Sequence, residues 1–252
     1  EAGMLYGIPT LGTSAHSFTL LHDSEEDAFA AQVASLGAGT TILVDTYDIA
    51  RGVERAVKAA RDAGGELGAV RLDSGDLVAE AFKVRAQLDA LGATTTKITV
   101  TNDLDEYAIA GLGTAPVDSY GVGTKLVTGS GRPTAALVYK LVERAGSDGQ
   151  MHQVAKFSEG GKATVGGRKW AGRVAGADGS AVEELVISAR EQDEALAALS
   201  EAKARPLQID LVCNGVIVEE HRGPQALAAA AERHQVSRAE LPYDAWRLSE
   251  GE

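Results

Sequence analysis

Short apolar runs rich in β-branched residues alternate with helical patterns between residues 40 and 123. Such runs predict strands, and Ile49, Val53 and Val57 recur at the spacing of one helix face. The strand-like runs lie at 40–45, 69–73, 97–101 and 117–123, and the helical patterns start at 49, 76 and 105. Because this alternation produces parallel sheets, we predict an α/β fold, either a (β/α) barrel or a doubly wound sheet.

The sequence changes in character after about residue 132, where Gly-rich turns separate shorter runs. We predict strands at 135–142, 154–157 and 163–173, a helix at 191–204, a hairpin at 210–218 and a last helix from Pro224 to Gln235. The hairpin prediction depends on Asn214-Gly215, a strong turn signal. We therefore predict a barrel portion at 1–132, and further barrel elements with an appended α+β portion at 133–252.

Charge and cysteine content exclude several classes of protein. A net charge of −12 argues against nucleic-acid binding, which needs a surplus of Lys and Arg, and against an anionic membrane surface. No apolar run is long enough for a membrane span. The single cysteine, Cys213, excludes an internal disulfide or a cysteine-built metal site and fits the cytoplasm. It lies in an apolar run, so we predict a small buried hydrophobic residue.

Polar residues follow each predicted strand, and the carboxyl ends of parallel strands meet at one edge of the sheet. Arg71 and Asp73 are two residues apart on a strand and therefore face the same side. The strand ends carry Asp45-Thr46, Asp73-Ser74, Asn102-Asp103 and Gly121-Val122-Gly123-Thr124. The sequence thus predicts three carboxylates, hydroxyl groups and a glycine loop in one place.

These acidic strand ends have two functional interpretations and one structural alternative. Carboxylates accept hydrogen bonds from ribose hydroxyls, or hold Mg²⁺ beside a diphosphate. Alternatively, Asp45, Ser74 and Asp103 cap the helices that follow them. We favour function because three such residues share one predicted edge with Arg71.

The glycine loop suits an anion, because glycines let backbone N–H groups approach closely. Thr124 and Lys125 add a donor and a positive charge. The pattern matches neither a P-loop nor the G-x-G-x-x-G fingerprint, and loops of this kind are commonly tight turns. Its position after a predicted strand favours a phosphate site.

His16 stands in the segment GTSAHS at 12–17, before the apolar residues 18–21. A lone histidine near a helix start is more often structural than catalytic. The basic stretch 162–173 is interpreted as a charged hairpin face or, alternatively, as a contact for a nucleotide phosphate. The other histidines are predicted to be solvated: His22, His152, His221 and His234.

Six motifs in order resemble the bacterial nicotinate phosphoribosyltransferases over essentially the whole chain. They are GTSAHS at 12–17, LVDTYD at 43–48, VRLDSGD at 70–76, TNDLD at 101–105, DSYGVGT at 118–124, and KFSE at 156–159 followed by GGRK at 166–169. The resemblance implies a type II phosphoribosyltransferase fold, in which an irregular α/β barrel packs on an α+β domain. It also implies a homodimer at full length.

The reaction implied by the resemblance joins nicotinate to 5-phosphoribosyl 1-diphosphate, giving nicotinate mononucleotide and diphosphate. ATP is the co-substrate and acts through a phosphohistidine. The resemblance assigns catalysis to His16, Arg71 and Asp73, and Mg²⁺ to Asp73 and Asp103. Substrate binding falls to Ser17, Asp45, Asn102, Asp103, Gly121, Gly123, Thr124 and Lys125.

This family is longer at its N-terminus, and we expect the chain to begin just after that segment. The missing part supplies some of the pyridine pocket, so weak turnover is expected from this chain alone. Two alternatives stay open, namely another pyridine substrate such as nicotinamide, and a non-catalytic phosphate- or nucleotide-binding module. A phosphorylatable His16 beside Arg71 and Asp73 argues against the second.

Overall fold

The computed structural model describes residues 1–129, 131–132, 134, 137–156 and 164–248. The chain divides into two compact units, one formed by Thr10–Ala135 and the other by Glu1–Pro9 with Ala136–Glu252. A short helix, α1 (Ala2–Tyr6), belongs to the second unit.

The first unit is built on a parallel sheet, which confirms the predicted α/β fold. In the described residues its strands are β1 (Thr41–Leu43), β2 (Ala69–Leu72), β3 (Lys97–Val100) and β4 (Ser119–Tyr120), paired in that order. Its helices are α2 (His16–Leu20), α3 (Glu25–Leu36), α4 (Ile49–Asp62), α5 (Leu77–Ala90), α6 (Glu106–Gly111) and α7 (Thr124–Thr128). The sheet is open, and these four strands are fewer than the roughly eight that a closed (β/α) barrel needs.

One face of this sheet is buried against the helices, while the opposite face carries the partly buried Arg71 and Thr99. Ile42, Val70, Leu72, Ile98 and Val100 are all fully buried. The helices contribute further buried side chains to the same core, including Phe29, Val53, Val57, Val84 and Leu88. This rigid core fixes the positions of the residues that leave the strand ends.

Helix α4 approaches the end of β1 unusually closely at Gly52. A Cβ on Gly52 would overlap the carbonyl oxygen of Val44, so only glycine permits this contact. Val44 immediately precedes Asp45, and the packing therefore fixes the backbone from which the Asp45 side chain extends.

The second unit combines helices with antiparallel strands. Its elements are the hairpins β5 (Glu143–Ala145) with β6 (Met151–Gln153) and β10 (Val212–Cys213) with β11 (Val216–Ile217), the antiparallel sheet β8 (Ala181–Ser188), β7 (Lys169–Ala175) and β9 (Ala204–Pro206), and helices α8 (Gln192–Glu201) and α9 (Gly223–Ala239). Short 3₁₀ turns lie at Glu219–His221 and Tyr243–Trp246. Trp170 and Ala195 pack together in a small core.

Two predicted strands of this unit are not found at their predicted positions within the described residues, and a third begins later than predicted. Residues 137–142 and 154–156 form no strand, and β5 and β6 occupy Glu143–Ala145 and Met151–Gln153 instead. The strand predicted at 163–173 begins only at Lys169, because Gly166 and Gly167 form a turn closed by the Lys169 ammonium. That group donates hydrogen bonds to the carbonyls of Val165, Gly166 and Gly167. The predicted positions 135, 136, 157 and 163 lie outside the described residues.

The hairpin at Asn214-Gly215 is confirmed, with φ values of 51° and 79° at its two turn residues. The prediction that Cys213 is buried is wrong, since this residue is exposed. Both strands of the hairpin are exposed along their whole length, so the apolar run forms a surface ribbon rather than a core strand. Among the described residues, no helix combines the length and apolarity needed to cross a bilayer.

Candidate active site

The capping interpretation of the acidic strand ends is wrong. Helices α4, α5 and α6 are capped by Asp48, Asp76 and Asp105, whose carboxylates accept hydrogen bonds from backbone N–H groups of the first helical turn. Each cap lies two or three residues after the residue that we considered for this role. Asp45, Ser74 and Asp103 therefore do not cap these helices, and their side chains need another explanation.

Asp45 joins the ends of β1 and β2. Its side chain is 1% exposed, and Oδ2 accepts hydrogen bonds from the backbone N–H of Asp73 at 2.7 Å and the Ser74 hydroxyl at 2.6 Å. Oδ1 is also buried, yet it accepts no hydrogen bond from the described residues. A buried carboxylate oxygen without a donor is costly, so Oδ1 is a candidate acceptor for a ligand group or a protonated His16.

Arg71 and Asp73 face the same side of β2, as their spacing predicts. The Arg71 Nη2 donates to Asp73 Oδ1 at 3.0 Å, and its Nε donates to Thr101 Oγ1 at 2.9 Å. The Thr101 hydroxyl also makes a very short hydrogen bond to Asp73 Oδ1. Partial burial raises the pKa of Asp73, but the hydrogen bonds from Thr101 and Arg71 outweigh it and hold that pKa below its usual value. Asp73 is therefore an anion at neutral pH.

His16 is the first residue of α2, and the structure brings its ring to these strand ends. Nδ1 lies 3.1 Å from the Thr46 hydroxyl. Nε2 lies 3.7 Å from Asp73 Oδ2 and 3.9 Å from Asp45 Oδ1. The side chain is 40% exposed, so a ligand can reach the ring. The histidine with an uncertain role in the sequence is therefore adjacent to two carboxylates.

Hydrogen bonds of two side chains, Thr13 and Ser14, anchor the segment just before His16. The Thr13 hydroxyl accepts a hydrogen bond from Arg71 Nη1 at 2.8 Å. The Ser14 hydroxyl donates to Oε1 of the buried Gln32 at 2.5 Å, and Gln32 Nε2 donates to the Thr41 carbonyl at 2.7 Å. The sheet thus fixes the GTSAHS segment before α2 begins, while Ser17 is exposed on that helix.

Asn102 and Asp103 are exposed in the loop after β3. In the described residues, no hydrogen bond or ion pair joins either side chain to His16 or Asp73. Their φ values are 111° and 46°, which are unfavourable for residues with a Cβ. The structure therefore places them at the predicted edge in a strained loop without showing contact with the catalytic candidates.

The glycine loop follows β4 and leads into α7. A Cβ on Gly121 would overlap the Thr101 methyl group, and the Gly121 N–H donates to the Val100 carbonyl at 2.9 Å. Gly123 precedes α7, and Thr124 and Lys125 form the first turn. Lys125 lines a cleft of about 370 Å³ together with Val122, Asp105, Glu106, Ile109, Leu126 and Gly129. Gly121 thus serves close packing, and its N–H is already used by the backbone.

The donor set fits Mg²⁺ only in combination with a ligand. The described residues contain no group of three or more His, Cys, Asp or Glu side chains arranged to hold a metal ion. Mg²⁺ commonly binds through one or two carboxylates together with water and substrate phosphates. The anionic Asp73, whose Oδ2 lies 3.7 Å from His16 Nε2, matches this second mode.

Sequence reasoning missed several polar residues that hold the site together. Thr46 and Ser74 were expected at the strand ends, where their position after Asp45 and Asp73 was the signal, but no role was assigned to them. Thr13 and Gln32 carried no such signal, because their partners are distant in sequence. Thr101 follows Thr99 by two residues at the end of a predicted strand, so both face the same side. This spacing is also typical of a threonine with a purely structural place in a sheet, and it gave no functional signal.

The basic residues near 168 have structural partners. Lys169 closes the turn before β7, Arg168 stacks on the Trp170 ring at 4.5 Å, and Arg173 pairs with Glu184 and Glu240. These contacts favour the interpretation of a charged hairpin face over that of a nucleotide contact.

The chain is similar to curated proteins over nearly its whole length. It is 47% identical over 255 residues to nicotinate phosphoribosyltransferase pncB1 of Mycobacterium tuberculosis, which covers 98% of this chain and 53% of that protein. It is 39% identical over 175 residues to nicotinate phosphoribosyltransferase of Bacillus subtilis, covering 67% of this chain and 35% of that protein. The chain thus spans about half the length of this mycobacterial relative. No protein-family model matches it.

Among solved structures, the fold resembles nicotinate-nucleotide pyrophosphorylase from Pyrococcus furiosus. The TM-score is 0.66 with 24% sequence identity, covering 93% of this chain and 56% of the other. At this identity the likeness supports the fold alone. The sequence comparisons carry the relationship: this chain belongs to the nicotinate phosphoribosyltransferase family, and it spans 53% of the length of the mycobacterial relative.

Proposed function

We propose that this chain carries the catalytic strand ends of a nicotinate phosphoribosyltransferase that acts in NAD biosynthesis. The reaction joins nicotinate to 5-phosphoribosyl 1-diphosphate, releases diphosphate and uses ATP as co-substrate. The observation that carries the proposal is the position of His16, whose Nε2 lies 3.7 Å and 3.9 Å from the carboxylates of Asp73 and Asp45. This arrangement occurs in a chain 47% identical to a protein of that name.

The displacement step fits an anionic, partly exposed site. The pyridine nitrogen bonds to the anomeric carbon while the bond to the diphosphate oxygen breaks, and positive charge develops on the ribosyl ring. The Asp73 carboxylate, which stays ionised, stabilises that charge. Arg71 lies beside it and supplies positive charge for an anionic substrate group.

His16 takes the γ-phosphoryl group of ATP in this proposal. A ring nitrogen attacks phosphorus, ADP leaves, and hydrolysis of the phosphohistidine later releases phosphate. Because Nδ1 is engaged by the Thr46 hydroxyl, Nε2 is the nitrogen that we assign to the attack. The exposed fraction of the ring leaves room for this approach.

The remaining predicted residues bind substrates and metal. Asp73 and Asp103 would hold Mg²⁺, which would supply positive charge for the departing diphosphate. Ser17, Asp45 and Asn102 are assigned to substrate contacts near the ribose. The 5-phosphate falls to the loop after β4, with Gly121, Gly123, Thr124 and Lys125.

We further propose the architecture that accompanies this activity in the family. The open sheet of the first unit would be part of an irregular barrel of the type II phosphoribosyltransferase kind, and the full-length enzyme would be a cytoplasmic homodimer. The parallel strand order β1-β2-β3-β4 supports the barrel, since consecutive parallel strands are its building unit.

Phosphorylation by γ-³²P-ATP tests the histidine assignment. We expect acid-labile, base-stable label on the chain and its loss in H16A. The matched control is H22A, because His22 lies in the turn after α2 but bonds to the Phe18 carbonyl instead of the strand ends. Label that persists in H16A, or disappears equally in H22A, would refute the role of His16.

Substrate preference is tested by steady-state diphosphate release with nicotinate or nicotinamide. We expect a clear preference for nicotinate, although the chain alone should turn over weakly. A preference for nicotinamide would replace the proposed substrate. If the protein binds phosphate but neither this chain nor the full-length protein takes ³²P label or releases diphosphate, the alternative of a non-catalytic binding module is favoured.

A further inference from the structure

Thr101 occupies a junction between three parts of the site. Its hydroxyl accepts a hydrogen bond from Arg71 Nε at 2.9 Å and donates a very short one to Asp73 Oδ1. Its methyl group lies where a Cβ on Gly121 would be. One side chain at the end of β3 thus contacts the Arg71–Asp73 pair on β2 and the loop after β4.

We infer that Thr101 is a positioning residue whose hydroxyl fixes the relative orientation of Arg71 and Asp73. The role of Thr101 in catalysis rests on the proposed function, but its role in orienting Arg71 and Asp73 does not. Thr101 is not among the residues that the sequence motifs assigned to catalysis, substrate or metal.

The direction of these hydrogen bonds is determined by the donors available. A guanidinium only donates, and an ionised carboxylate only accepts. The Thr101 oxygen therefore accepts from Arg71, and its single hydrogen is directed to Asp73 Oδ1, which is nearer than the alternative acceptor, the Leu72 carbonyl at 3.4 Å. Together with the direct contact between Arg71 Nη2 and Asp73 Oδ1 at 3.0 Å, this closes a ring of three charge-assisted bonds, which are stronger than neutral ones.

The Thr101 methyl group keeps the hydroxyl in this orientation. Exchanging the positions of the methyl and the hydroxyl would turn the apolar group toward Arg71 and Asp73. Gly121 provides the space that the methyl needs, since any side chain at 121 would overlap it. The orientation of one rotamer thus depends on a glycine of the adjacent loop.

The rate at which the Arg71 Nε–H exchanges with solvent tests the inference without a catalytic assay. This rate is measured by ¹H–¹⁵N NMR, and the Arg71 signal is identified by its absence from the spectrum of R71K. We expect the exchange to be roughly tenfold to hundredfold faster in T101V, which loses the acceptor. T101S keeps the hydroxyl and should retain most of the protection. The control is T99V, because Thr99 bonds to the Ser119 hydroxyl at 2.7 Å on the same strand.

The variants also separate positioning from a general effect on folding. Chemical unfolding measures the loss of stability in T101V and T99V, and we expect changed Arg71 exchange only in T101V. Unchanged exchange in T101V, or equal change in T99V, would overturn the inference. If T101V loses protection of the Arg71 Nε–H while the wild-type protein takes no ³²P label on His16, the inference is upheld and the proposed function is refuted.

Discussion

The carboxylate of Asp45 accepts a hydrogen bond from the backbone N–H of Asp73 at 2.7 Å. The residue that ends one strand therefore fixes the backbone of the catalytic candidate on the next. The bond also places two carboxylates close together, and Arg71 supplies the compensating charge at 3.0 Å from Asp73. The site thus depends on buried polar contacts that a change at Asp45 would disrupt.

We predict that D45A lowers the free energy of unfolding by about 2–3 kcal/mol, because it leaves two buried or partly buried donors without an acceptor. D45N should cost less, since its amide oxygen can still accept. Urea unfolding followed by circular dichroism measures both values. The control D48A removes only the cap of α4 and should cost about 1 kcal/mol. A D45A loss no larger than that of D48A would contradict this account.

The sequence was sufficient to predict the alternation of strands and helices and the convergence of the strand ends. Both follow from local patterns, namely β-branched runs and helical spacing, which the core around Ile42 and Val100 confirms. The same local signals misplaced the strands near Gly166, because a turn closed by a lysine ammonium is not encoded in apolar periodicity.

The site was only partly predictable for a different physical reason. His16 is a lone histidine in sequence, and its significance comes from Thr46 and Asp45, which are about thirty residues away. The bond between Arg71 and Thr13 spans a still longer separation. Such contacts are made by the fold, so the family resemblance rather than local spacing pointed to His16.

We predict that G121A destabilises the protein by about 1–3 kcal/mol, because the added Cβ overlaps the Thr101 methyl group. Thermal and urea unfolding provide the measurement. G123A is the matched control, since a Cβ there meets nothing within 4 Å.

The double variant G121A/T101S distinguishes overlap from other effects of alanine. Serine lacks the methyl group, so the double variant should recover part of the loss, which a double-mutant cycle quantifies. Strictly additive losses would show that the overlap is not the cause.

Glu240 gives the second unit a pH-dependent contribution to stability. A hydrogen bond from Arg205 lowers the pKa of Glu240, partial burial opposes this, and Arg173 lowers the pKa further. Because the folded-state pKa lies below the unfolded value, the stabilisation is present at neutral pH and is lost as the pH falls through the folded pKa. We expect E240Q to be less stable than the wild type at pH 7, with the difference shrinking once the pH falls below the ordinary Glu pKa of about 4.3 and disappearing below the lowered folded-state pKa.

Urea unfolding between pH 7 and pH 3 measures this difference. The control is E232Q, because Glu232 is exposed on α9 and forms no ion pair with the described residues. A constant difference between wild type and E240Q across this range would be incompatible with the ion pairs as its source.

The contact between His16 Nδ1 and the Thr46 hydroxyl at 3.1 Å orients the imidazole so that Nε2 faces Asp73 and Asp45. We predict that T46V slows phosphorylation of His16 by about tenfold, as expected when one hydrogen bond that orients a reacting group is removed. T46S retains the hydroxyl and should label at nearly the wild-type rate. The initial rate of ³²P incorporation from γ-³²P-ATP measures both. Equal rates in wild type and T46V would mean that the surrounding chain orients the ring without Thr46, whereas equal slowing in T46V and T46S would show that loss of the hydroxyl is not the cause.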